Sequence, residues 1–379
     1  IFANVFHFGK TPINSISIIF KLVMKQIIAA NKIFTGTEWL INHALVIQDN
    51  MVESILPTVA LKETASKQVS LIIPAFIDLQ IYGAGGKLLS VYPTLESLQL
   101  LKDYCVKGGA AWFQPTVATN SNEVIHACID AVREFKKQPN NRCIGLHVEG
   151  PWINPIKRGA HLSEFIYRPT TEQVKELLEY GKGVITMITL APEVCNASIV
   201  DLIHSYGVVV SAGHSNADYA TATKAFNDGI GTATHLYNAM SALQHREPGM
   251  VGAIFNHPTV YCSIVPDGYH VNFEAIQIAK KQLGNRLFAI TDAVTDTDTG
   301  AYPHQLNGDK YESNGILSGS ALTMLACVQK LHQYCHIEIG EAIRMCSLYP
   351  AQVIQKQGIT GMLKPSQKAD WIGLNEDLT

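Results

Sequence analysis

Five side chains in this chain combine residue types and spacing that could do chemistry. They are Gln80 in "FIDLQIYG", Glu149 in "GLHVEGPW", His214 in "VVVSAGHSN", His235 in "ATHLYNAM" and Asp292 in "FAITDAV". Each follows an apolar run and precedes a turn-like or glycine-containing stretch. One carboxylate and two imidazoles form a ligand set for a catalytic zinc or iron ion that keeps a position open for water. A further aspartate could then carry the proton. Taken singly, a histidine at a strand end is more often hydrogen-bonded filler than a ligand. Two of them with a glutamate that follows an apolar run shift that balance, because a buried carboxylate needs a cationic partner and a metal is an economical one.

The elements that must position these residues are legible as a rhythm. Apolar runs lie at about 72–80, 110–117, 143–149, 184–190, 208–213, 231–235, 261–265 and 287–291. Between most of them lie helix signals, such as "TLESLQLLKDYCVKGG" ending at Gly108 and "NADYATATKAFNDG", which opens at Asn216 and stops at Gly229. Strands alternating with helices in this way predict a (β/α)₈ TIM-like barrel, placed at residues 74–349, with its active site at the C-terminal strand ends. The segment after His235, "NAMSALQHREPGMVGAIFN", reads as loop rather than helix.

Residues 24–73 carry no helical period. "QIIAANKIF", "HALVIQ" and "MVESIL" read as short strands joined at Gly36 and at the hairpin pair Asp49-Asn50. After the last barrel strand, "GSALTMLACVQKLHQYC" and "EAIRMCSLYPAQVI" read as helices. The tail 350–379 returns to turns and an apolar strand, "ADWIGL", expected to rejoin the N-terminal strands in a small β-sandwich domain. Residues 1–23 read as an upstream, non-native extension before a start at Met24, and the tail reads as cut short.

Net charge is −3, from 29 Lys and Arg against 32 Asp and Glu, with no basic run, which argues against nucleic acid as a partner. The eight cysteines form no C-x-x-C pair, so neither a zinc ribbon nor a thioredoxin-like motif is present, and free thiols in a reducing cytoplasm are the simpler expectation. The apolar stretch 16–30 carries Lys21 and Lys25 and is too short to span a membrane. "YGAGG" lacks the G-x-G-x-x-G spacing of a dinucleotide loop. His147 shares strand parity with Glu149, which points it into the barrel as a partner behind the site.

Nine segments in order, "PAFIDLQIYGAGG", "GLHVEGPWINPIKRGAH", "TLAPE", "VVSAGHSNA", "ATHLYNAM", "REPGMVGAI", "DGYHV", "ITDA" and "LSGSALTM", resemble the N-acetylglucosamine-6-phosphate deacetylases of the amidohydrolase superfamily. The resemblance implies that Glu149, His214 and His235 bind a divalent metal, most simply Zn²⁺ with Fe²⁺ as the alternative, and that Asp292 takes a proton from water and returns it to the leaving amine. Many members of the superfamily carry His-x-His at the first strand end. Here that place is read as Asp78-Leu79-Gln80, so a single ion is expected, with Gln80 bonding water or substrate. The resemblance further implies that His161, beside Ala160, polarises the amide carbonyl. Asn238, Ala239, Arg246 and His270 would contact phosphate, and Leu317, Ser318 and Gly319 would line the sugar pocket. It also implies a homodimer, or a tetramer built from dimers, in which Arg246 reaches the neighbouring subunit's site. The alternatives are hydrolysis of the galactosamine epimer or of a cyclic amide, and a non-catalytic sugar-phosphate-binding regulator, against which the retained Asp292 counts.

Overall fold

A computed structural model describes residues 25–313, 315–375 and 378. The expectation for residues 1–23 lies outside them. Eight parallel strands wind in sequence order around one core: Phe76–Ile81, Ala110–Ala118, Leu146–Glu149, Ile185–Leu190, Val209–Ala212, Thr232–Ala233, Tyr261–Ile264 and Leu287–Ala289. The barrel closes just beyond the last strand. The Asp292 amide donates to the Gln80 carbonyl at 3.0 Å, the Tyr82 amide donates to the Ala293 carbonyl at 2.9 Å, and Ile81 pairs with Ala293 in parallel.

Helices pack outside these strands for reasons the sequence supplies. Leu95–Lys107 starts where the Thr94 hydroxyl accepts from the Ser97 amide, buries Leu98, Leu101 and Cys105, and stops at Gly108. Two expectations are corrected. The helix Tyr219–Asn227 is capped by Asp218 rather than Asn216, the Asp218 carboxylate accepting from the Thr221 amide. The segment read as loop after His235 contains the helix Gly249–Asn256, whose apolar face is buried. Its amphipathic signal is weak because six of its eight residues are buried, so no polar stripe marks a solvent side.

The small unit is a five-stranded sheet that draws on both ends of the chain. Lys25–Phe34, Trp39–Gln48 and Met51–Pro57 form a meander, with Asp49 and Asn50 at φ 51° and 64° in the tight turn. Both central residues of a type I′ turn need positive φ, which Asp and Asn tolerate. Lys67–Pro74 pairs parallel to the first strand, and Trp371–Leu374 pairs antiparallel to Lys67–Pro74. Ala75 alone separates that fourth strand from the first barrel strand, so the sheet is covalently fixed to the barrel where the barrel begins.

Asp370 ties the returning tail to the barrel. Its carboxylate accepts from Trp112 Nε1 at 2.7 Å and pairs with Arg142. Asp370→Ala should therefore lower stability by about 1–3 kcal/mol, read as a lower urea midpoint with an unchanged m value. An unaltered midpoint would show that the tail is held by sheet pairing alone.

Candidate active site

The C-terminal ends of the barrel strands bring Glu149, His214 and His235 together in one buried cluster. Glu149 Oε1 lies 3.2 Å from His235 Nε2 and 3.4 Å from His214 Nε2, and the two imidazole nitrogens are 3.0 Å apart. Nitrogen and oxygen ligands about 2.0–2.2 Å from a tetrahedral ion stand roughly 3.3 Å from one another. The donor set and its spacing therefore fit a divalent ion. His214 is already oriented for this, because its Nδ1 meets the Lys157 carbonyl at 3.0 Å and so carries the hydrogen, leaving the Nε2 lone pair aimed inward.

The backbone makes this convergence possible. His214, His235 and Asp292 all adopt positive φ, at 47°, 39° and 53°. Such a conformation is costly for a residue with a Cβ and persists only where surrounding structure imposes it. Here it turns each chain sharply as it leaves its strand. The Ser263 hydroxyl receives the His235 amide at 2.8 Å, and the Gln80 carbonyl receives that of Asp292.

Electrostatics follow from burial. Burial pushes the Glu149 carboxyl up, but hydrogen bonds from His161, His214 and His235 outweigh it and hold the carboxyl well below its usual range. Burial, helped by the neighbouring His161, lowers His214 to about 4, so it is neutral, as a ligand must be. At His235, Glu149 and Asp292 outweigh burial and raise the pKa. A proton on His235 is one way to balance these carboxylates, and a divalent cation is the other. Asp292 is pushed up chiefly by burial. Its Oδ1 accepts from Gln80 Nε2 at 2.9 Å, and its Oδ2 lies 3.6 Å from His270 Nε2.

A cavity of about 180 Å³ opens over the cluster. Ala160, His161, Asn238, Ala239, His270, Leu317 and Ser318 all line it, together with Glu149, His214, His235 and Asp292. His161 is buried, with Nδ1 2.7 Å from the Thr119 hydroxyl and Nε2 3.3 Å from Glu149 Oε2. Gln80 sits behind the lining and bonds Glu149 and Asp292 rather than open space. Gly319 also stands behind it. A Cβ there would lie 2.6 Å from Val294 Cγ1 and 3.1 Å from the Asp292 carbonyl, so the glycine permits that close packing. Arg246 is exposed on the loop before helix Gly249–Asn256, away from the cavity of its own chain.

The structure moves one strand-end assignment. Asp78 lies a layer deeper, bonded by the Thr291 hydroxyl and amide, and the residues that face Glu149 from the first strand end are Gln80 and Tyr82. Tyr82, Asp267, Tyr302 and His304 escaped the sequence reading. Asp267 accepts from His270 Nδ1 at 2.6 Å, Tyr302 bonds the Thr119 carbonyl, and His304 meets the Ser318 hydroxyl at 2.8 Å. Strand parity with Gln80 could have found Tyr82. His147 does point inward, to the Thr189 hydroxyl at 2.8 Å.

Residues 71–378 match the amidohydrolase family, and residues 29–70 match the NagA composite domain. The chain belongs to the amidohydrolase family. Within it, the chain is 34% identical over 346 residues to an N-acetylglucosamine-6-phosphate deacetylase of Haemophilus influenzae, covering 87% of this chain and 90% of that one. It is 33% identical over 348 residues to an N-acetylgalactosamine-6-phosphate deacetylase of a Shewanella species, covering 88% of each. The crystal structure of N-acetylglucosamine-6-phosphate deacetylase from Pasteurella multocida superposes with a TM-score of 0.89 at 31% identity, over 94% of this chain and 97% of that one. Amidohydrolases are hydrolytic and metal-dependent, in keeping with the cluster described above.

Asp78 gives this amidohydrolase a pH signature of its own. Burial raises its carboxyl to about 7, against an unfolded value near ~3.9. A raised acid holds its proton in the folded state while the unfolded state has lost it. The associated stability is present below the unfolded pKa and lost as pH rises from about 4 through about 7. Relative to Asp78→Asn, which cannot titrate, the wild type should lose on the order of a few kcal/mol across that window. Parallel urea midpoints for the two proteins from acid to neutral pH would show Asp78 to be unperturbed.

Proposed function

We propose that this amidohydrolase hydrolyses the N-acetyl group of N-acetyl-D-glucosamine 6-phosphate, releasing D-glucosamine 6-phosphate and acetate in the breakdown of amino sugars in the cytoplasm. The observation that carries the reading is the placement of Asp292 in the same cavity as Glu149, His214 and His235, with a proton-accepting carboxylate facing a cation-binding cluster. The names of the Haemophilus and Pasteurella relatives support the substrate. The Shewanella relative, nearly as similar, favours the galactosamine epimer as a second reading.

Glu149, His214 and His235 would hold one divalent ion, Zn²⁺ or Fe²⁺. When bound, such an ion polarises a carbonyl and lowers the pKa of water towards ~7. The remaining work falls to the chain. Asp292, its basicity raised by burial, accepts the proton as water adds to the acetyl carbon. His161, fixed by Thr119, presents Nε2 where the carbonyl oxygen gains charge. As the C–N bond breaks, the proton passes from Asp292 to the departing amine, leaving acetate and the amino sugar. Asn238 and Ala239 would contact the phosphate, with Leu317 and Ser318 along the sugar. His270 stands beside Asp292 and can reach either the reacting group or the phosphate. The exposure of Arg246 suits a homodimer, or a dimer-based tetramer, in which it completes a second subunit's site. Residues 74–349 would carry the catalytic barrel, and 24–73 with 350–379 its companion unit.

Asp292→Asn keeps shape and hydrogen bonding but loses the basic oxygen. Bound metal should be retained while kcat for acetate release falls by at least ~10²-fold, and near-normal turnover would remove Asp292 from the mechanism. Arg246→Ala should raise KM for the 6-phosphate sugar by the equivalent of about 1.5–3 kcal/mol and leave N-acetylglucosamine itself almost unaffected. Equal effects on both would make Arg246 structural. Mixing Arg246→Ala with a His214→Ala variant should restore part of the activity if the arginine crosses an interface.

A further inference from the structure

The partners of Glu149 divide sharply between its two oxygens. Oε1 faces His214 Nε2, His235 Nε2 and Gln80 Nε2, at 3.4, 3.2 and 3.0 Å. Oε2 accepts the Tyr82 hydroxyl and faces His161 Nε2 at 3.3 Å. Tyr82 OH in turn accepts from Gln80 Nε2 at 2.7 Å. A phenol has one hydrogen, so with Glu149 receiving it the Tyr82 oxygen is left to accept.

We infer that Tyr82 is a positioning residue that occupies Oε2 of Glu149, so that this carboxylate presents Oε1 alone and holds one divalent cation instead of bridging two. A carboxylate that bridges two ions gives one oxygen to each; both Glu149 oxygens have a donor, Gln80 at Oε1 and Tyr82 at Oε2, but only Oε1 also faces both His214 and His235. The two side chains that face Glu149 from the first strand end, Gln80 and Tyr82, are an amide and a protonated phenol. Both are poor ligands beside imidazole. Their hydrogen bonds instead fix the carboxylate's rotation, the kind of outer contact that tightens a metal site. This deepens the metal reading proposed above and rests on it.

The test uses full-length protein stripped of metal, with zinc affinity measured by competition with a chromophoric chelator. Tyr82→Phe keeps the ring and removes the hydroxyl. Its zinc dissociation constant should rise ~10–100-fold over wild type, with the far-ultraviolet circular dichroism spectrum unchanged. An unchanged dissociation constant overturns the inference while leaving the metal site standing. A wild type that binds no zinc fails at the earlier step and takes the inference with it. Should Tyr82→Phe not fold, Gln80→His with Tyr82→His decides the matter. By elemental analysis it should take up a second ion per chain, and a stoichiometry still at one overturns the proposal.

Discussion

The desolvated carboxylate of Glu149 is the constraint on which the site depends. An ionised carboxylate withdrawn from water carries a penalty that only close opposite charge and several hydrogen bonds can offset. The barrel answers with three imidazoles, an amide and a phenol from four places in the chain: His161, His214, His235, and Gln80 with Tyr82. The same arrangement that makes the buried charge tolerable makes it a candidate cation site. Asp292, a second buried carboxylate bonded through Gln80, adds to the negative field, and burial pushes its pKa up.

Closing the barrel and assembling this site are one event. The hydrogen bonds that join the first strand to the end of the last pass through Gln80, Tyr82, Asp292 and Ala293. Ser320 continues the pattern, its amide donating to the Asp292 carbonyl at 3.0 Å. A shift of register at this seam would therefore move the base and two partners of Glu149 together. The left-handed backbone at Asp292 is held by this seam, that at His235 by the Ser263 hydroxyl, and that at His214 by the Asn154 amide donating to its carbonyl, which is how strained residues persist.

Much of this was legible in the sequence because apolar runs ending in single polar residues mark buried strands and their exits. Glu149, His214, His235 and Asp292 were each found that way. The failures have physical causes. Matching the superfamily's His-x-His position puts Asp78 at the first strand end, whereas Thr291 supplies it with partners one layer down. Tyr82 stands beside the glycines of "YGAGG", which read as a bend and so hide its part in the site. The helix Gly249–Asn256 lacked a polar face to reveal it. The partnership of Asp267 with His270 depends on a turn in which the Asp267 carboxylate also receives the Tyr269 and His270 amides, a geometry that spacing alone does not announce.

On the proposed reading, a cation held against Glu149 turns this barrel into an amide hydrolase. Its most direct test is a titration of metal-free protein with zinc while acetate release from N-acetylglucosamine 6-phosphate is followed. Turnover should be absent without metal and rise linearly with zinc, breaking at one ion per chain. Full activity in the metal-free protein, or a rise that continues to two ions, would contradict it.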